Sequence, residues 1–343
     1  MRMKLEKDNS FNFSFRENKR ELRGLLAGQY PHIVEDKLYY QMEEPKEIHC
    51  ATLENGIYKK NPSNIALEKS VACHNFRAFL DTNPNVPEHE RYKAVGGNSV
   101  SSNYPDLVDC ELSKELKEYS LPNPCRPERP KVVFADTFNH PRHANGLYVF
   151  SSADGIYWDS HDKPVFSKFT EVDCTETYQY LGFDYMPSVV CTGDGYRIYL
   201  RSNPKLGVRF VLTSYSPDLI HWEKPTPIQV TPSFDMDKEN FYYFDAYRLE
   251  CGKYVAFAPH FIKDNGLYYD CYNSLLSSDD GLNWKVRNKM FKSGTSGHMT
   301  FPHIVSFREE GDKYAIYVHE DFLTHNNKLS RYLVSKEEFM SFV

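Results

Sequence analysis

Three aspartates stand just ahead of strand-like runs in separate parts of this sequence: Asp81 in HNFRAFLDTNP before RYKAVGG, Asp184 in YLGFDYMPSVV, and Asp245 in FYYFDAYRLE. A further stretch, HMTFPHIVSF, brings His298 and His303 to the corresponding place. Carboxyl groups that share a site push their pKa values apart, so that one keeps its proton while another stays ionised. Such a set suits cleavage of a glycosidic bond: one carboxyl protonates the departing oxygen, a second attacks or activates water, and a third tunes the acid. Asp81 is read as nucleophile or base and Asp184 as orienter and pKa modulator. Asp245, or Glu320 of the YVHED segment, is read as the acid. Arg77 and Arg201 carry the forked guanidinium that grips a carboxylate or phosphate, and His260, His303 and His319 complete the candidate substrate-binding residues. Each has a plainer reading. Asp81 precedes T-N-P-N-V-P and suits a turn cap, His303 suits a satisfied core histidine, and Arg201 suits a strand-end salt bridge.

These residues converge only if the surrounding elements are arranged radially. Short runs rich in aromatic and β-branched residues, such as KLYYQ at 37–41, GLYVFSS at 146–152, YRIYLRS at 196–202, KYVAFAP at 253–259 and KYAIYVH at 313–319, alternate with Gly, Pro, Asn and Asp clusters and predict hairpin-linked strands. Helical periodicity is confined to 16–26 (RENKRELRGLL), 112–119 (LSKELKEY) and the terminal SKEEFMSF, too little to cover a parallel sheet. A repeat organises the strands: Ser152 to Trp158 (SADGIYW), Ser216 to Trp222 (SPDLIHW) and Ser278 to Trp284 (SDDGLNW), their central aspartates 64 and 62 positions apart. A degenerate copy runs from Leu53 to Lys59. In each, Ser closes a strand, Asp and the next residue make a tight turn, and Trp opens the following strand, so Asp154, Asp218 and Asp280 are turn residues rather than catalysts.

Four strands per repeat, at a spacing of some 60 residues, describe a propeller blade. Five units are expected, around 30–60, 75–160, 180–223, 240–286 and 300–335. The fold class is therefore all-β, a five-bladed β-propeller over 30–335. Residues 1–29 are read as an N-terminal segment, 336–343 as a C-terminal tail, and about 98–145 as a surface insertion in the second blade.

Composition narrows the function classes. With 41 Lys and Arg against 47 Asp and Glu, the net charge of −6 leaves no basic surface for nucleic acid. No apolar run approaches the roughly 20 residues of a membrane span, and no continuous apolar stretch follows the basic start, so neither a membrane partner nor a secretory signal is expected. The eight cysteines are scattered without C-x-x-C or zinc spacing. That argues against a structural metal and places the protein in the cytoplasm, with its thiols as small buried apolar groups. No cofactor is expected, although a cation in the central channel and a homo-oligomer are both compatible with the sequence. The 15 % aromatic content serves strands and sugar platforms alike. Tyr39, Tyr40, Tyr242, Tyr243, Tyr268 and Tyr269 are core or stacking candidates.

The hairpins SSADGIYW, SPDLIHW and SSDDGLNW, with the stretch HNFRAFLDTNPNVPEHERYKAVGG, resemble the five-bladed propeller glycoside hydrolases, the grouping that includes family 32 and family 43 enzymes. The resemblance covers about 30–335. It implies an acidic trio on the inner strands, and with it roles for Asp81, Asp184 and Asp245, acting on a small or bacterial-type saccharide. The sequence departs from that pattern in lacking W-x-N-D-P-N, R-D-P and E-C-P; its Glu250-Cys251 pair lies in a hairpin turn, and no glutamate acid is identified. Two alternatives stand beside hydrolysis. One is a phosphate-dependent phosphorylase, with Arg77, Arg201 and the histidines on phosphate. The other is a saccharide-binding propeller without catalysis.

Overall fold

Five β-sheets stand around one axis, and the chain visits them in order. A computed structural model describes residues 3–14, 27–42, 47–54, 57–68, 74–98, 146–161, 163–166, 186–202, 209–264, 267–292, 302–320 and 328–343. Asp184, His298, the insertion beyond Asn98 and the helical stretches read at 16–26 and 112–119 lie outside these residues. After β1 (Glu6–Ser14), blade one comprises β2 (Ala27–Val34), β3 (Lys37–Met42), β4 (Glu47–Glu54) and β5 (Ile57–Glu68). Blade two comprises β6 (His74–Leu80), β7 (Tyr92–Asn98), β8 (Gly146–Ser152) and β9 (Asp159–Ser160). Blade three comprises β10 (Ser188–Cys191), β11 (Tyr196–Ser202), β12 (Phe210–Ser216) and β13 (Thr226–Pro227). Blade four holds β14 (Gln229–Thr231), β15 (Glu239–Phe241), β16 (Asp245–Arg248), β17 (Tyr254–Asp264), β18 (Leu267–Ser278) and β19 (Asn283–Met290). In it, β15 and β16 share the inner edge along β17, while β14 runs parallel to β19 outside. Blade five comprises β20 (His303–Glu310), β21 (Lys313–Glu320) and β22 (Lys328–Ser335).

The core lies between blades rather than at the axis. Each of five main apolar clusters draws on two neighbouring blades, as where Tyr39 and Cys50 of blade one meet Phe76 and Phe150 of blade two. A sheet covered on both faces has no solvent side, so its strands read as continuous apolar runs; Tyr254 through Phe261 are all buried.

The N-terminal stretch, read from sequence as lying outside the ring, joins it: β1 pairs antiparallel with β22 as the fourth strand of blade five and closes the circle. Lys7 pairs with Glu320 at 3.1 Å, Lys313 with Glu6 at 3.5 Å, and Arg331 with Asp8. The C-terminal residues are likewise no loose tail. A short helix, Lys336–Met340, is capped by Ser335, whose hydroxyl accepts from the Glu338 amide at 3.2 Å, and it buries Phe339 in the core between blades four and five. The terminal helix was legible in SKEEFMSF but its docking on Phe307 and Tyr314 was not, and β1 was not legible as a strand because its partner β22 lies at the other end of the chain.

The repeated hairpins behave as turns. Oδ1 of Asp154, Asp218 and Asp280 each accepts from the amides two and three residues on, at 2.8–3.0 Å. Burial pushes the Asp218 and Asp280 carboxyls up, but these donors outweigh it and hold both at about 2. The residue after each aspartate is left-handed: Gly155 at φ 72°, Leu219 at φ 70° and Gly281 at φ 73°. What neighbours each turn explains the exception. Tyr39 and Tyr199 donate their hydroxyls to the carbonyls of Gly155 and Gly281, at 2.6 and 3.0 Å, so a Cβ there would lie 2.6 and 2.8 Å from a tyrosine oxygen. At the matching place in blade two, three residues into the second strand, stands Val95, which shares a core cluster with Leu219. The left-handed cost of leucine, about 1–2 kcal/mol, is offset by burying its side chain. Gly281→Leu is therefore expected to destabilise the fold by about 2–4 kcal/mol through clash and backbone strain. Adding Tyr199→Val, which copies the blade-two arrangement, is expected to restore more than half. Urea midpoints of the single and double variants measure this, and equal midpoints would contradict it.

Of the described cysteines, Cys50 and Cys271 are buried, Cys191 is half-buried and Cys251 is exposed in the β16–β17 hairpin. Burial pushes the Cys191 thiol up to about 11, which keeps it protonated and unreactive at neutral pH.

Candidate functional site at the upper rim

The innermost strands β2, β6, β10, β16 and β20 all run the same way, so the ring has an upper rim, where they begin, and a lower rim, where they end. This corrects the sequence reading of Asp81. RYKAVGG is β7, the second strand of its blade, and the innermost strand is HNFRAFL, so Asp81 follows that strand and stands at the lower rim. Its carboxylate accepts from the Tyr196 hydroxyl at 2.5 Å, the Asn83 amide at 3.0 Å and the Cys191 thiol at 3.6 Å. Leu80 and Thr82 line the central cavity, while Asp81 between them turns toward blade three.

Asp245 does begin an innermost strand, and it meets another candidate, Arg77, at 2.6 Å. Arg77 also donates to the Val305 carbonyl at 2.9 Å and the Tyr247 hydroxyl at 2.9 Å, and Tyr247 donates to Asp245 at 2.5 Å. Val305 lies in the register shift between Ile304 and Ser306 of β20, where the ladder to β21 is interrupted. Arg77 supplies that carbonyl with a donor and so ties blade two to blades four and five across the axis. Burial pushes the Asp245 carboxyl above its ordinary range, against the pull of Arg77.

Glu320 turns outward. It accepts from Tyr332 at 2.7 Å and pairs with Lys7 and Lys328. Burial opposes its ionisation, but these partners hold its carboxyl below the usual range. His260 lies among Phe234, Phe241 and Tyr272 in blade four, with Glu239 at 2.9 Å and Ser274 at 3.1 Å. Burial, followed by Lys289, pushes it down to about 4, and burial alone brings His319 to about 3. Both are neutral at pH 7 and bring no positive charge to a substrate. The structure thus joins Arg77 to Asp245 and sets His303 opposite His319 in register. Asp81, Glu320 and His260 stand apart, each with partners of its own.

The upper rim gathers a different set. Tyr30 of blade one and Asn75 of blade two have φ of 47° and 57°, and each sits at a register shift in its innermost strand. Non-glycine residues held left-handed cost about 1–3 kcal/mol and gather at functional sites. The Tyr30 hydroxyl lies 3.3 Å from that of Tyr242, and its ring packs on Met186 of blade three. The Arg201 and Arg209 guanidiniums each lie 5.3 Å from the centre of the half-buried Tyr242 ring, and Arg201 donates to the Tyr242 carbonyl at 3.1 Å. His303 stands edge-on to Tyr242 and donates from Nδ1 to the Tyr243 hydroxyl at 3.1 Å, which itself donates to the Ile304 carbonyl.

Tyr30, Asn75 and Arg209 were not singled out from the sequence, although a signal was present. Tyr30-Pro31-His32-Ile33-Val34, Met186-Pro187-Ser188-Val189-Val190 and Phe301-Pro302-His303-Ile304-Val305 repeat one pattern, which leads into β10 and β20 and makes up the last five residues of β2. Its third position ties blades together: His32 accepts from the Ala78 amide at 2.9 Å and Ser188 from the Ala246 amide at 3.0 Å, each on the next blade.

No sequence family and no curated protein matches this chain. Solved structures do. An N-acetylgalactosamine deacetylase from F. plautii, in complex with blood group B trisaccharide, is 12 % identical at a TM-score of 0.57, over 98 % of this chain and 97 % of its own. The GH93 α-L-arabinofuranosidase of Fusarium graminearum, with arabinobiose, is 10 % identical at 0.52, over 95 % and 98 %. A glycosyl hydrolase from Bacteroides ovatus is 11 % identical at 0.51, over 98 % and 95 %. The chain has the five-bladed propeller fold of these proteins along essentially its whole length. That fold carries both a deacetylase and glycoside hydrolases, so the ring alone does not select the reaction.

Proposed function

We propose that this protein is a glycoside-hydrolase-like enzyme that takes a saccharide at the upper rim. The observation that carries the reading is Tyr242, a half-buried ring shared by Tyr30 of blade one, Arg201 and Arg209 of blade three and His303 of blade five. A tyrosine fixed in this way offers an apolar face to sugar C–H groups and surrounds it with donors for hydroxyls. The saccharides named with two of the similar structures support the same ligand class. In this reading Asp184, two residues ahead of Met186 in the chain, supplies a reacting carboxyl. Asp245 is occupied in holding Arg77, and Asp81 and Glu320 stand outside the reaction.

The described part of this rim is aromatic, amide and guanidinium in character, which favours a second reading, saccharide binding without cleavage. Titration against a glycan panel, with reducing-end release assayed with and without phosphate, separates these readings and the phosphorolytic one. Tyr242→Ala is expected to weaken glycan binding about tenfold or more through lost stacking. Asp184→Asn is expected to stop release and leave binding intact. Glycan binding unchanged by Tyr242→Ala would overturn the site, and binding with no release would leave the second reading.

A further inference from the structure

The lower rim opens on a cavity of about 460 Å³, within the roughly 300–1,000 Å³ typical of small-molecule sites. Somewhat less than half of its wall is apolar: Ile33 and Val34 come from blade one, Leu80 from blade two, Val189 and Val190 from blade three, and Leu249 from blade four. Its lining includes the buried Arg77 and Asp245 and the half-buried Tyr247. Arginine has five N–H donors. Arg77 uses three, on Val305, Asp245 and Tyr247, which leaves two on a side chain that lines the cavity.

A second guanidinium, Arg248, lines the same cavity from its exposed edge and makes no hydrogen bond or ion pair among the described residues. The hairpin glycines Gly193 and Gly252 flank it, each with an Arg248 nitrogen 4.0 Å from where a Cβ would stand, so neither hairpin crowds it. Two carboxylates share the cavity. Asp245 is matched by Arg77 and Tyr247, whereas the exposed Glu250, at the far end of the lining segment, makes no hydrogen bond or ion pair among the described residues, Lys336 being held by Glu309 at 2.5 Å. Arg248 therefore brings an unpaired guanidinium to the same lining as the spare donors of Arg77 and the apolar side chains, with Glu250 two positions further along the chain.

We propose that this lower cavity is a second ligand site, which takes a small organic carboxylate with an apolar body. The carboxylate is held by Arg248 and the spare N–H groups of Arg77, and the body lies against Val34, Leu80 and Val189. Planar guanidiniums match carboxylate geometry, and the apolar walls favour a carbon skeleton over a bare inorganic anion. The site stands at the opposite end of the ring from Tyr242, so it does not depend on the saccharide reading.

Isothermal titration of the full chain with benzoate, benzamide and inorganic phosphate tests this. Benzoate is expected to bind, and benzamide and phosphate to bind at least tenfold more weakly. Arg248→Gln is expected to weaken benzoate about tenfold, the loss of one charge-assisted contact. Thr82→Trp, which fills the cavity wall beside Leu80, is expected to abolish binding, and Tyr242→Ala to leave it unchanged. The proposal is overturned if benzoate does not bind, if benzamide or phosphate binds as tightly, or if Tyr242→Ala rather than Arg248→Gln removes binding.

Discussion

Replacing Arg77 by methionine is expected to lower stability at pH 7 by about 3–5 kcal/mol, because the Asp245 carboxylate is then left buried without its partner. Asp245 is 3 % exposed and Arg77 7 %, so water cannot take the place of the missing charge. The Val305 carbonyl loses its donor in the same step. The pH dependence identifies the cause. Burial already raises the Asp245 pKa above its unfolded value. A group raised in the folded state favours folding while protonated and loses that contribution as pH rises through the folded pKa. Without Arg77 the rise is larger, so the Arg77→Met deficit is expected to shrink on acidification below the shifted Asp245 pKa. Arg77→Met with Asp245→Leu, which removes both charges, is expected to recover most of the loss, since well-packed apolar replacements of buried pairs are often neutral. Urea midpoints between pH 4 and 8 measure all three effects. A deficit that does not change with pH would assign the loss to packing instead.

Removing residues 1–14 is expected to have the largest effect on the ring, because it takes away the strand that closes it. β22 would become an open edge, and Phe11 would leave the cluster it forms with Tyr58 and Tyr317 between blades five and one. An unpaired edge strand is a template for pairing with another chain. The truncated protein is thus expected to unfold at lower urea and to self-associate, which light scattering at increasing concentration would detect. A finer variant isolates the electrostatic part. Hydrogen bonds from Ser10 and then Arg331 hold the Asp8 carboxyl at about 2, below its ordinary 3.8. A lowered carboxyl contributes stability above the unfolded pKa and loses it as pH falls through the folded one. Asp8→Asn is therefore expected to cost about 2 kcal/mol near pH 7, the worth of a charged hydrogen bond, with the difference from the parent fading between about pH 4 and pH 2.

The legible part of the site was less than the legible part of the fold. Asp245 and Arg77 were both recognisable as unusual, but their pairing, 168 positions apart, appears only once β6 and β16 face each other across the axis. Asp81 was placed at the wrong rim by a one-strand error within its blade. Only RYKAVGG carries the strand reading, whereas pairing shows HNFRAFL to be a strand as well and the innermost one. The Tyr-Pro-His, Met-Pro-Ser and Phe-Pro-His segments were readable as a repeat, yet nothing local shows that they ring an axis. Glu320 sits beside His319 in a strand, and alternation sends it to the outer side, toward Lys7 and Tyr332.

The sequence by itself determined the all-β class, the count of five blades and the turn role of Asp154, Asp218 and Asp280. Those follow from local chemistry: strand-forming runs, tight-turn residues and a period, each legible within a few residues. The tertiary structure alone decided how the ring closes and which side chains meet, because those depend on contacts between residues hundreds of positions apart. Arg77 reaches Val305 and Asp8 reaches Arg331, and the cost of burying a charge settles such partners only where a partner is actually within reach.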